Sequence, residues 1–163
     1  MAFDAFLKVD DIPGESTDDK HKDWIEVLSY GFGIHQPASA TASSSGGATA
    51  ERANFQDFSI TKVLDKSSPK LASACAAGNH IPSVILEVCR AGGDKVKYME
   101  YKLSNCIVSN YSDGGSSGGD LPVETVAFNY GKIEWTYTQQ KRSDGSGGGQ
   151  VAGGWDLQTN KKV

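Results

Sequence analysis

Three histidines and three cysteines are the side chains here best suited to nucleophilic, acid–base or metal chemistry. His21, His35 and His80 are not spaced as ligands of one metal ion, and Cys75, Cys89 and Cys106 form no C-x-x-C pair. An odd count of three cysteines argues against a disulfide framework. All three fall in periodic, core-like segments, where a thiol behaves as a small apolar group. The glycine-rich runs offer a second kind of chemistry. Gly114 and Gly119 have the end-to-end spacing of a phosphate loop, but Asp120 stands where a phosphate-binding lysine belongs, and a strand follows. Gly145, Gly147 and Gly149 also precede a strand, so both runs read as flexible connections. Carboxylates alternate with Lys and Thr along the strands, as on solvated faces. No catalytic residue, metal site or cofactor is expected.

The element expected to hold the rest together is a single short helix over about 66–78, Lys66-Ser-Ser-Pro-Lys-Leu-Ala-Ser-Ala-Cys-Ala-Ala-Gly78. Ser68 is its expected cap, Pro69 its first residue and Gly78 its left-handed end. Leu71, Ala74 and Cys75 share a face at i, i+3, i+4 spacing. Isolated helices shorter than about 12 residues barely hold in water, so this one must dock on something larger.

That larger body reads as β-structure. Alternation marks Phe3–Val9, Trp24–Phe32, Phe55–Leu64, Ser83–Arg90, Val96–Ser104, Val123–Tyr130, Lys132–Gln140 and Val151–Thr159 as strands. Ala91-Gly-Gly-Asp94 is a hairpin signature, and Asn105–Tyr111 continues the preceding strand after a bend. In Trp24–Phe32, Ile25 and Val27 point one way while Trp24, Leu28, Tyr30 and Phe32 point the other. His35–Asn54 is a long stretch of polar and small residues, of a length usually functional or disordered in a compact domain. The fold expected is mainly β: one domain over residues 1–163, a β-barrel of two packed, antiparallel-rich sheets with one docked helix and long Gly/Ser-rich loops.

Chain totals narrow the function. A net charge of −4 gives no general basic field for nucleic acid. No run of 18 apolar residues is present, and the N-terminus lacks the basic and apolar regions of a secretory signal. Synthesis and folding in the cytoplasm are expected. Several strands carry large apolar groups on both faces, Met99, Tyr101 and Leu103 opposite Val96 and Tyr98 among them. Either the helix and loops cover the second face, or it meets another subunit; a head-to-tail contact whose rotation closes would make a ring.

The helix and its flank, Phe58-Ser-Ile-Thr-Lys-Val-Leu-Asp-Lys-Ser-Ser-Pro-Lys-Leu-Ala-Ser-Ala-Cys-Ala-Ala-Gly-Asn-His80, resemble the Hcp (haemolysin-coregulated protein) family, the tube proteins of bacterial type VI secretion. Phe6-Leu-Lys-Val9, Ile12-Pro-Gly-Glu-Ser16, Arg90-Ala-Gly-Gly93 and Gly154-Trp-Asp-Leu-Gln158 extend the resemblance to essentially the whole chain. The departures are substitutions within strands and the Ala/Ser/Gly filling of the long loop, which obscures the cargo.

The resemblance implies a barrel flanked by a helix and a homo-hexameric ring. Rings would stack into a tube inside a contractile sheath, topped by a spike protein, with effector proteins bound in the channel. It also implies export without a signal peptide, no enzymatic activity, and no nucleic-acid or direct membrane partner. Within the long loop, Ser43, Ser44, Ser45, Gly46, Gly47 and Ala48 are the expected ring-stacking contact. Ser29, Tyr30, Gly31, Phe32 and Gly33 are the expected cargo contact at the channel wall. Two other classes remain open from the residues alone: a β-sandwich binding or adhesin module, and a hydrolase on a β-scaffold using His80, Cys75 or a carboxylate pair.

Overall fold

The computed structural model describes residues 2–37, 52–92, 95–140 and 147–163. Among these described residues, twelve strands and one helix follow in order: β1 (Phe3–Val9), β2 (Ile25–Val27), β3 (Ser29–Gly31), β4 (Ile34–His35), β5 (Asn54–Phe55), β6 (Phe58–Val63), α1 (Ser68–Ala77), β7 (Ile81–Arg90), β8 (Lys97–Gly114), β9 (Val123–Asn129), β10 (Lys132–Gln140), β11 (Gly147–Asp156) and β12 (Lys161–Lys162). All strand pairings are antiparallel.

Two sheets share the 18-residue strand β8. Its first half lies between β7 and β10 in a sheet ordered β12-β11-β10-β8-β7-β1-β2. Its second half pairs with β9, which continues through β6 to β3 as the second sheet. The bend between the halves is local. Asn105 takes a left-handed φ of 54°, and the register slips between Val108 and Asn110. A bulge of this kind turns a strand without ending it, which meets the sequence expectation of a bend at Asn105.

The stretch from Ile25 to Gly31 crosses between the sheets in a similar way. Ile25–Val27 pairs with β1 and Ser29–Gly31 with β6, while the Leu28 N–H donates to the Thr61 carbonyl at 2.8 Å. Leaving one partner for another resets the alternation by one residue. Tyr30 and Phe32 therefore turn to the same interior as Ile25 and Val27, not to the opposite side, and Leu28 is left exposed.

Between the sheets lies the core, with Leu7, Ile25, Phe58, Leu103, Phe128 and Ile133 shut off from solvent. Tyr101 and Leu103 belong to it, and Tyr98 and Met99 pack half-buried against it, so those apolar groups stay within the subunit. Burying one such side chain contributes about 1.5–3 kcal/mol. Helix α1 docks through Leu71 and Ala74, the face its spacing marked. It ends as expected: Gly78 has a φ of 66°, and the Gly78 and Asn79 N–H groups donate to the carbonyls of Cys75 and Ala74. Its start differs from expectation. Ser68 is the first helical residue, not the cap, and the capping position falls to Ser67, whose side chain bonds Asp65 and no helical N–H. The second half of the Ala91–Asp94 hairpin lies outside the described residues.

Two strand limits also differ from the sequence reading. β11 begins at Gly147, because glycines there continue the ladder to β10. The ends of the long loop are tied together, Ile34 opposite Phe55 and His35 opposite Asn54.

Candidate assembly and cargo surfaces

The solvent side of the second sheet carries two adjacent register rows of small residues. Ser29, Thr61, Thr125 and Ser112 stand in line, and beside them Gly31, Ser59, Ala127 and Asn110. Every member of these rows is small and uncharged, and the nearest carboxylate, Asp57, lies at their end, held by Ser109 and Asn129. The rows between these, such as Tyr30–Ile60–Val126, point into the core. Ser29 and Thr61 share a hydroxyl–hydroxyl hydrogen bond on the outer face. Nothing lies within 4 Å of a Cβ built on Gly31, so that position opens onto free space.

Of the five residues expected at the channel wall, Ser29 and Gly31 lie on this outer face. Tyr30 and Phe32 instead pack on Phe58 and Tyr101, with ring centroids 5.4–6.1 Å apart. Gly33 is half-buried, and a Cβ there would meet the Gln56 side chain at 2.8 Å. Ser43, Ser44, Ser45, Gly46, Gly47 and Ala48 lie outside the described residues. Beyond that segment, the Arg52 guanidinium donates to the Leu157 carbonyl at 3.2 Å.

Two of the three thiols are buried in the core. Burial pushes the Cys89 thiol up to about 11 and the Cys106 thiol up to about 12, far from the thiolate a nucleophile needs. His80 and His35 are exposed. Among the described residues, no three His, Cys, Asp or Glu side chains converge as a metal site. Gly114–Gly118 fits the letters of a G-x-S-x-G motif, but β9 follows it and not the helix of a nucleophile elbow.

His21, in the loop between β1 and β2, has a structural role. It is buried, with Nδ1 2.7 Å from Asp18 and Nε2 2.6 Å from Glu87, and its ring stacks on Phe6 at a centroid distance of 4.2 Å. Lys95 reaches Asp18 at 3.0 Å, and Lys97 reaches Glu87 at 3.3 Å. The result is a charged clamp fixing the Asp10–Trp24 loop onto β7. With the imidazole packed on Phe6 and both nitrogens engaged, no room is left for a substrate.

A second cluster corrects the reading of strand carboxylates and lysines as solvated. Lys62 and Glu124 are cross-strand partners, both fully buried, with Nζ and Oε2 3.1 Å apart. Lys62 also reaches Asp65 Oδ1 at 3.0 Å and Ser68 Oγ at 3.1 Å. The start of α1 covers this end of the sheet, so the interior row continues through a lysine and a glutamate. Period-two alternation was the available signal: Phe58, Ile60 and Lys62 share one face.

Comparison with known proteins gives the architecture a family. Residues 6–137 match the family model described as "Type VI secretion system effector, Hcp". The chain is 39% identical over 161 residues to "Protein hcp1" of Pseudomonas aeruginosa, covering 98% of each.

This chain belongs to the Hcp family.

A further relative, the "Major exported protein" of Pseudomonas aeruginosa, is 29% identical over 136 residues, spanning 78% of this chain and 77% of its own. Among solved structures, one titled "Structure of a type six secretion system protein" superposes with a TM-score of 0.94 at 40% identity, covering 99% of this chain and 100% of the other. Hcp1 from Salmonella typhimurium gives 0.83 at 35%, with all of both chains covered. Hcp proteins are structural, secreted tube components of type VI secretion and are not enzymes. The hydrolase and adhesin alternatives therefore fall away. Among the described residues, no helix is long and apolar enough to cross a membrane.

Proposed function

We propose that this Hcp chain is the subunit of the type VI inner tube. Its two sheets act as a barrel whose second sheet faces a central channel. Six copies make a ring, rings stack within the contractile sheath, and effector proteins ride inside, behind a spike. The chain is made in the cytoplasm and leaves without a signal peptide, in keeping with a relative named for its export. One observation carries this reading: similarity to Hcp proteins runs the full length of the chain, with 98% of it aligned to hcp1.

The rows Ser29–Thr61–Thr125–Ser112 and Gly31–Ser59–Ala127–Asn110 support the channel assignment. A conduit must release what it holds, and rows of small, uncharged side chains have few means of trapping a passing protein. Electron microscopy and light scattering of the purified protein test the reading. Rings with six times the 17.3 kDa chain mass are expected, and a protein that stays monomeric at high concentration overturns it.

The Ser43–Ala48 segment is proposed to join one ring to the next. Its deletion should shorten or abolish tubes while free rings persist. Tubes of unchanged length and salt resistance in electron micrographs would remove that assignment.

A further inference from the structure

The long loop leaves and rejoins the body through a ribbon of only two register pairs, Ile34 with Phe55 and His35 with Asn54. A two-stranded ribbon this short does not hold its own shape in water. Its direction must come from what it is tied to. At its base, the Tyr130 hydroxyl donates to the Gln56 carbonyl at 2.8 Å, and Phe55 packs edge-on to the Tyr130 ring with centroids 6.5 Å apart. Burial pushes that hydroxyl up to about 12, so it stays a donor. The Gln56 N–H donates to the Gly33 carbonyl at 2.9 Å and closes the base of the ribbon.

A second tie lies further out. Past the last register pair, the Arg52 guanidinium donates to the Leu157 carbonyl at 3.2 Å. That carbonyl is itself well fixed. The Leu157 N–H donates to the Gly131 carbonyl at 2.8 Å, the Leu157 side chain packs on the core, and Asp156 Oδ1 accepts from the N–H groups of Gln158 and Thr159. Gly131 in turn donates to the carbonyls of Ser104 and Asn105 at 3.0 and 3.1 Å. Both ties therefore lead back to one turn, Tyr130-Gly131, between β9 and β10. Two separated points of attachment fix a direction, whereas the base alone would leave a hinge. The base is half-buried and packed; the outer tie is one hydrogen bond from an exposed side chain, so the outer tie decides the angle.

Resting on the assignment of Ser43–Ala48 to the join between rings, we infer that Arg52 is a positioning residue for ring stacking. Its bond to Leu157 sets the angle at which that segment is offered to the next ring. The acceptor is a neutral carbonyl, and among the described residues no carboxylate pairs with Arg52, so the donor matters here and not the charge. A joint between rings of six repeats the contact six times. If each copy acts independently, a twofold loss at one becomes roughly sixtyfold across the joint.

Arg52→Met keeps the apolar stem and removes the donor; Arg52→Lys keeps a donor. The side chain is exposed, so both variants should form rings of wild-type mass and melting temperature. Sedimentation velocity over a concentration series reads the stacking of those rings. Arg52→Met should need at least about tenfold more protein than wild type to stack, and Arg52→Lys should recover most of the difference. Arg52→Met rings that stack like wild type overturn the inference, as do Arg52→Lys rings that are as defective as Arg52→Met. The Ser43–Ala48 deletion, run alongside, separates the two readings. Stacking unchanged by the deletion defeats the assignment of that segment itself. Stacking lost on deletion but kept in Arg52→Met defeats only the role of Arg52.

Discussion

At Lys62 an ammonium group sits in the core, held by Glu124, Asp65 and Ser68. Breaking such a buried pair costs about 3–5 kcal/mol, because the remaining charge has nothing to neutralise it. Lys62→Met should therefore lower the urea midpoint sharply. Lys62→Met combined with Glu124→Leu should recover most of the loss, since Glu124 Oε1 already lacks a hydrogen-bond partner among the described residues. A single variant as stable as wild type would show that the pair carries no such penalty. Asp18 makes a different kind of statement. Its hydrogen bonds from His21 and Lys95 hold its carboxyl down from 3.8 to about 2, against the opposing effect of burial. A depressed pKa stabilises the fold fully above about pH 4, and that stabilisation fades as pH falls toward 2. Melting temperatures of wild type and Asp18→Asn should differ by a constant amount at pH 5–7 and converge near pH 2; a gap that persists at pH 2 would mean the clamp does not depend on this charge. Neither cluster is legible as a cluster in the sequence. His21 and Glu87 lie 66 residues apart and Lys62 and Glu124 lie 62 apart, and only the ladders bring them together.

At the scale of elements much more can be read in advance. Pro69, Gly78 and the Leu71/Ala74 spacing mark α1 because capping and amphipathic periodicity are local rules. The bend at Asn105 is also local. The break at Leu28 is not: which strand a residue pairs with depends on where β1 and β6 lie, and a single-strand alternation carries no trace of that. Gly78 gives a clean test of the local rules. Its φ of 66° is costly for any residue with a Cβ, yet a Cβ built there meets nothing within 4 Å. Gly78→Ala should therefore lose only the conformational term, about 1 kcal/mol, and lower the melting temperature by about 2–4 °C. A much larger fall in calorimetry would point to a packing role that the open space excludes.

Across the whole molecule, the assembly is legible through the family motifs and not through periodicity. What periodicity adds is the division of residues 29–33 between two faces, and here the shift at Leu28 decides the result. With Tyr30 and Phe32 holding the core, Ser29 and Gly31 are what this segment can present to a channel. Gly31→Arg tests that directly. Gly31 has a negative φ and open space beyond it, so a long side chain fits without strain. Six guanidinium groups would then enter one ring, each charge standing on rows that otherwise have none. Such groups narrow the channel and demand solvation that a docked effector would have to displace. The ring itself should survive, since the added side chain enters open space beyond the subunit's own packing. Co-purified effector should fall by roughly tenfold or more, equivalent to about 1.4 kcal/mol of binding free energy. Undiminished cargo on intact Gly31→Arg rings would show that effectors are held elsewhere, and the small-residue face would lose its assignment as the channel wall.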